Sequence, residues 1–105
     1  MDSINRPTFG ITGGENVWPS VVEEALNSHP SVREVAVAGV ADVEWGQRVV
    51  AWIVPADPTS PPTLESIRSI AGESLPMYMA PREVRLVQHL PITSSGKVRR
   101  RDLPT

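Results

Sequence analysis

The chain has 105 residues, a formal charge of −2 and 40% hydrophobic residues. That is one small domain with room for a modest core, but not for a core plus a large self-contained catalytic cleft. The near-balanced charge gives no ground for a nucleic-acid or membrane-surface protein, and the lack of cysteine excludes disulfides, thiol catalysis and zinc-thiolate sites.

Met1 to Thr8 is polar with one proline and no periodicity; residues 1–10 read as a leader or linker remnant, and the domain is expected over 11–105. Phe9 to Gly14 suggests a short strand running into a glycine turn, and Glu15 to Trp18 a second strand returning from it. Pro19 opens a helix, where its missing N–H costs nothing. Val21, Val22, Ala25 and Leu26 give that helix an apolar stripe, Glu23 and Glu24 suit its early turns, and Pro30 stops it. Val32 to Val40 reads as a strand, with Val35 and Val37 on one face and Ala36 and Ala38 on the other. Ala41 to Gln47 is expected to be a loop. Arg48 to Pro55 is the strongest strand, apolar on both faces, as a central strand covered on both sides would be.

Ala56 to Pro62 is a proline-rich connector. Thr63 suits a helix N-cap, and Leu64, Ile67, Ala71 and Leu75 form the stripe of the helix that follows. Pro76 to Pro81 is a turn region, and Glu83 to Leu90 a third strand. Pro91 to Gly96 is a polar, flexible loop, and Val98 to Leu103 a short terminal helix. Trp18 and Trp52 are expected in the core. The sum is an α+β fold: a small three-stranded sheet flanked by helices, with a short N-terminal hairpin. Eleven prolines, roughly twice the usual share of about 5%, agree with short elements and rigid turns. His29 and His89 are too few for a metal site, so none is expected. No apolar run approaches the roughly 20 residues of a membrane helix, and Met1 to Thr12 lacks a signal-peptide pattern. A cytoplasmic protein without nucleic-acid or membrane partners is the expectation.

Four stretches, in order, carry a family resemblance. They are Gly13-Gly14-Glu15-Asn16-Val17-Trp18-Pro19 with Val22-Glu23; Asp42-Val43-Glu44-Trp45-Gly46-Gln47; Tyr78-Met79-Ala80-Pro81-Arg82; and the run from Leu90-Pro91 through Ser95-Gly96-Lys97-Val98 to Arg100 and Leu103. Together they resemble the C-terminal domain of the adenylate-forming superfamily of acyl-CoA synthetases, peptide-synthetase adenylation domains and luciferase. The closest likeness is to aryl- and acyl-CoA ligases such as o-succinylbenzoate–CoA ligase. Two departures stand out. Val21 occupies a position that is usually acidic. Asn5-Arg6-Pro7-Thr8 stands where relatives carry a hinge, and Pro7 would fix φ there and resist a large rotation.

The resemblance implies a mobile part of an AMP-forming acid–CoA ligase, with ATP and CoA as substrates of the complete enzyme and Mg accompanying ATP on the absent domain. Its partners would be a large N-terminal adenylation domain, in cis or in trans, the acyl-adenylate and CoA. Lys97 would be the catalytic cation. Negative charge crowds around the α-phosphorus as a carboxylate displaces pyrophosphate, and a positioned ammonium lowers that barrier. Gly96 and Arg100 would anchor its loop. Gly13 and Gly14 would line a pantetheine tunnel that a side chain would block, with Glu15 and Asn16 beside it. Trp45, Tyr78 and Arg82 would meet the CoA nucleotide, by stacking and by a guanidinium fork. Neutralising Lys97 by acetylation would then stop adenylation.

The rival readings are weaker. A P-loop at Ser95-Gly96-Lys97 fails, because Pro91 stands where its first glycine is needed and Val98 where Ser or Thr is needed. Arg99, Arg100 and Arg101 are too short a run, on a net-acidic chain, for a nucleic-acid patch. A stand-alone binding or regulatory module for CoA, an acyl carrier or a partner protein is the alternative to an enzyme part.

Overall fold

A computed structural model of the chain describes residues 9–11, 15–44, 46–96, 98–99 and 102–104. The elements are β1 (Phe9–Ile11), β2 (Glu15–Val17), α1 (Pro19–Leu26), β3 (Val32–Asp42), β4 (Gly46–Pro55), α2 (Leu64–Gly72) and β5 (Glu83–Leu86). A one-turn 3-10 helix, Met77–Met79, lies between α2 and β5. Residues 1–8, Pro7 among them, lie outside the described residues, whereas Phe9 and Gly10, expected to end the leader, belong to β1.

β1 and β2 pair antiparallel, which is the expected N-terminal hairpin. The main sheet has the order β3-β4-β5. β4 runs antiparallel to β3, with Ala36 opposite Trp52, and parallel to β5, with Trp52 opposite Arg85. The strand with apolar residues on both faces is therefore the central one. Its two faces meet different partners. Val49, Ala51 and Ile53, with Val35 and Val37 of β3, pack against Val22 and Leu26 of α1 and Ile67 and Ala71 of α2. On the other face Val50, Trp52, Val54 and Ala36 pack against Leu90 and Leu103 of the C-terminal segment, with Val98 beside them.

Local chemistry explains the helix ends. Pro19 is the first residue of α1. Thr63 caps α2 through a capping box, its hydroxyl accepting from Ser66 N–H while Ser66 Oγ accepts from Thr63 N–H. His29 ties the helices together: its Nδ1 accepts from Ser31 N–H at 3.0 Å, and its Nε2 lies 3.2 Å from Ser66 Oγ.

Several expectations need correction. β3 and β4 run further toward each other than the apolar runs suggest, to the pair Asp42 and Gly46. The loop thus shrinks to the short stretch between Asp42 and Gly46, because Asp42 Oδ1 accepts from Glu44 N–H and Gly46 takes φ +76° to close the turn. The third strand stops at Leu86, and Leu90 turns into the core. Of the terminal helix expected over Val98 to Leu103, Asp102 alone among the described residues is helical, in 3-10 form. Val98 bridges Ile92 instead, and Asp102 N–H closes a single turn on Arg99 O. Trp18 is 37% exposed rather than buried, and Leu64 stands at the solvent side of α2. No helix among the described residues is long and apolar enough to cross a membrane.

Candidate functional site in the C-terminal segment

The segment following Leu90 is folded back on itself. Ile92 and Val98 form an antiparallel bridge, and Arg99 N–H donates to Pro91 O at 2.8 Å. Between them Gly96 N–H donates to Thr93 O at 2.9 Å, and the Thr93 and Ser95 hydroxyls lie 2.9 Å apart. Gly96 has φ +89°, a conformation L-residues rarely take. What reads as a loose loop in sequence is therefore a bridged turn whose tip, Ser94 to Gly96, is exposed.

Gly96, the first of the two anchor residues, stands at this turn. Lys97 and Arg100, like Gly13, Gly14 and Trp45, lie outside the described residues. Position 97 is bracketed by Gly96 at the end of the turn and Val98 at the bridge. The remaining site candidates occupy two other parts of the fold. Glu15 and Asn16 are exposed on β2, where Asn16 pairs with Gly10. Tyr78 sits in the 3-10 turn, half-buried against the helix-side core. Arg82 is exposed at the entry to β5, where its N–H donates to Val49 O at 2.8 Å. Between them Met79, Ala80 and Pro81 are buried, and Arg68 donates to Pro81 O at 2.8 Å. Tyr78 and Arg82 thus share one rigid connector. Among the described residues no group of three or more His, Cys, Asp or Glu is placed to hold a metal ion.

A charged network on the tail-covered face escapes the sequence reading. Glu83 accepts from Arg85 Nε through one oxygen and from Arg48 Nε at 3.1 Å through the other. Arg48 also donates to Ala41 O at 3.0 Å and lies 3.6 Å from Asp42. The Arg85 hydrogen bond, helped by Arg48, holds the Glu83 carboxyl below its ordinary pKa against the opposing effect of burial. Arg85 lies 5.4 Å from the centre of the Trp52 ring. Arg85 Nη1, at 3.0 Å, and Trp52 Nε1, at 2.6 Å, both donate to Pro104 O. The alternation of Glu83 and Arg85 was the available signal. Its meaning depends on the parallel register with β4, which local pattern does not reveal.

The model of the AMP-binding enzyme C-terminal domain matches residues 21–97. The chain belongs to that family. The domain is 51% identical over 89 residues to a probable 2-succinylbenzoate–CoA ligase of Mycobacterium tuberculosis, a match covering 85% of this chain and 23% of the relative. It superposes on the o-succinylbenzoate CoA synthetase of Bacillus subtilis in complex with its acyl-adenylate intermediate. There the TM-score is 0.81 and the identity 34%, covering 90% of this chain and 19% of that one. A malonyl-CoA ligase bound to methylmalonyl-CoA and AMP gives a TM-score of 0.76 at 40% identity, covering 80% of this chain and 18% of that one. The domain therefore spans about a quarter or less of the length of these relatives.

Proposed function

We propose that this domain is the mobile C-terminal part of an ATP-dependent, AMP-forming acid–CoA ligase, working beside a large N-terminal adenylation domain in cis or in trans. The leader or linker to that partner, expected over 1–10, gives way to the domain proper where β1 begins at Phe9. The observation that carries the reading is the bridged, glycine-closed turn immediately before Lys97, in a chain that belongs to the AMP-binding enzyme C-terminal family.

In the first half-reaction a carboxylate oxygen of the acid attacks the α-phosphorus of ATP, and pyrophosphate leaves with the bonding electrons. Lys97 supplies a compact positive charge to the oxygens that gain charge in that step. A turn fixed at its base and exposed at its tip is a suitable mount: it can enter a neighbouring cleft without carrying the core with it. In the second half-reaction the CoA sulfur attacks the acyl carbonyl, AMP leaves, and the thiol proton passes to solvent or a base. Gly13 and Gly14 leave room for the pantetheine arm, with Glu15 and Asn16 at its side. Trp45, Tyr78 and Arg82 meet the nucleotide end of CoA. Mg travels with ATP on the large domain. The names of the relatives support 2-succinylbenzoate as the first acid to test.

In the complete ligase, Lys97→Ala is expected to cut acid-dependent pyrophosphate release by about 10²–10³-fold, the scale of losing one transition-state charge partner. Thioester formation from supplied acyl-adenylate should stay within about twofold, and chemical acetylation of Lys97 should have the same effect. Equal loss of both half-reactions would overturn the assignment. Calorimetry separates the module reading. A stand-alone CoA-binding module would bind CoA below millimolar without the large domain, and a ligase part would not.

A further inference from the structure

We propose that Arg85 and Trp52 form a latch on the C-terminal segment, and that Arg85 is a positioning residue for the adenylation step. The inference rests on the reading of Lys97 as the adenylation cation. It concerns how that lysine is held, which the family resemblance does not address.

The segment that contains position 97 is fastened at both ends. At its start Leu90 is buried on the sheet, and Arg99 N–H on Pro91 O with the Ile92–Val98 bridge closes the base of the turn. At its end Leu103 is buried on the same face, and the carbonyl of Pro104 accepts from both Trp52 Nε1 and Arg85 Nη1. A carbonyl oxygen has two lone pairs, so these two donors saturate it. Both donors come from the rigid sheet, since Trp52 and Arg85 are register partners on β4 and β5. Trp52 is 1% exposed and cannot move without opening the core. Arg85 is oriented by Glu83 on one side and the Trp52 ring on the other. Arg48 in turn holds Glu83 from β4.

Fixing both ends matters because a segment tethered at one end explores far more space than a closed loop. A reacting geometry displaced by about 1 Å costs on the order of 10²-fold in rate. The turn just before position 97, Ser94 to Gly96, is exposed and has no core packing to supply that precision. The latch supplies it from the sheet, leaving the tip free to enter the partner.

Two measurements test this. In the 105-residue chain, Arg85→Met keeps the aliphatic stem and removes the guanidinium donors to Pro104 O and Glu83, leaving Trp52 Nε1 in place. Trypsin should then cut the basic stretch from Lys97 to Arg101 several-fold faster, with cleavage after Arg33 unchanged. Arg68→Met removes an arginine–carbonyl bond elsewhere and should leave the tail rate unchanged. In the complete ligase, Arg85→Met should lower pyrophosphate release about tenfold or more and leave thioester formation from supplied acyl-adenylate within about twofold. Arg85→Lys should restore part of the loss, because it keeps a cationic donor for Pro104 O.

Equal loss of both half-reactions in Arg85→Met would mark a merely structural residue and overturn the proposal. So would full pyrophosphate release in Arg85→Met where Lys97→Ala has lost it, or an unchanged tail cleavage rate. Should Lys97→Ala itself retain pyrophosphate release, the reading of Lys97 fails, and the catalytic role of the latch with it. The cleavage rate would still report whether Arg85 holds the tail.

Discussion

Gly96 shows how much one backbone angle can ask of a residue. A Cβ built on it would meet no heavy atom within 4 Å, so space is not what requires glycine there. The requirement is φ +89°, which costs an L-residue roughly 1–2 kcal/mol. Gly96→Ala should therefore shift the turn away from its closed form by about that amount, a factor of roughly 5–30 in population. Because the tip is exposed, little core is lost. The expected outcome is a several-fold fall in pyrophosphate release by the complete ligase, with the melting temperature of the domain changed by only a few degrees. A large drop in melting temperature would mean that the turn supports the fold rather than the lysine.

At the level of elements, α1 does more than cover the sheet. β3 is an edge strand, and edges present unpaired backbone groups. Glu23 reaches from α1 to accept Val37 N–H at 2.8 Å, so a helix side chain pairs one of the strand's edge groups. The residue reads in sequence as a partner for the helix dipole, but it lies beyond the first turn of α1, and the packing of α1 on β3 gives it the strand contact instead. Glu23→Ala should cost about 2 kcal/mol, the scale of a hydrogen bond to a charged group. Glu23→Gln keeps an acceptor and should cost less than half of that, measured by urea unfolding at neutral pH. Equal costs would mean that charge, not the strand contact, is at stake. The same division explains what the sequence discloses. The alternation in β3 and the double-faced run in β4 are local, so strands and faces were legible. Leu90, Val98 and Leu103 have no common period, so the cover of the second face was not. The motif residues around Lys97 were legible through resemblance. The Arg85–Trp52–Pro104 contact was not, because it joins three distant stretches through a parallel crossover.

For the molecule as a whole, the two faces of one sheet are held by different physics. The helix face is mainly apolar packing, Val22, Leu26, Ile67 and Ala71 against apolar residues of β3 and β4, with the Glu23–Val37 and His29–Ser66 hydrogen bonds at its margin. The other face adds the chain Asp42–Arg48–Glu83–Arg85 to a smaller apolar cluster, and that chain ends on the backbone carbonyl of Pro104. Acid should act on this second face through Glu83. Its carboxyl is held below its ordinary pKa first by Arg85 and then by Arg48, so the folded state binds this proton less readily than the unfolded chain. The stabilisation is thus complete above the unfolded value of about 4.3 and is lost as pH falls through the lower folded value. Glu83→Gln cannot titrate there. Wild type should be the more stable of the two at pH 7, and the difference should shrink as pH falls below the unfolded value of about 4.3 and through the lower folded value. Thermal unfolding of both proteins across that range measures it, with high salt narrowing the gap because the groups are partly exposed. A gap that stays constant with pH would mean that Glu83 acts by shape and packing rather than by charge. The sheet and its C-terminal cover would then be joined by the apolar cluster and the Pro104 contacts alone.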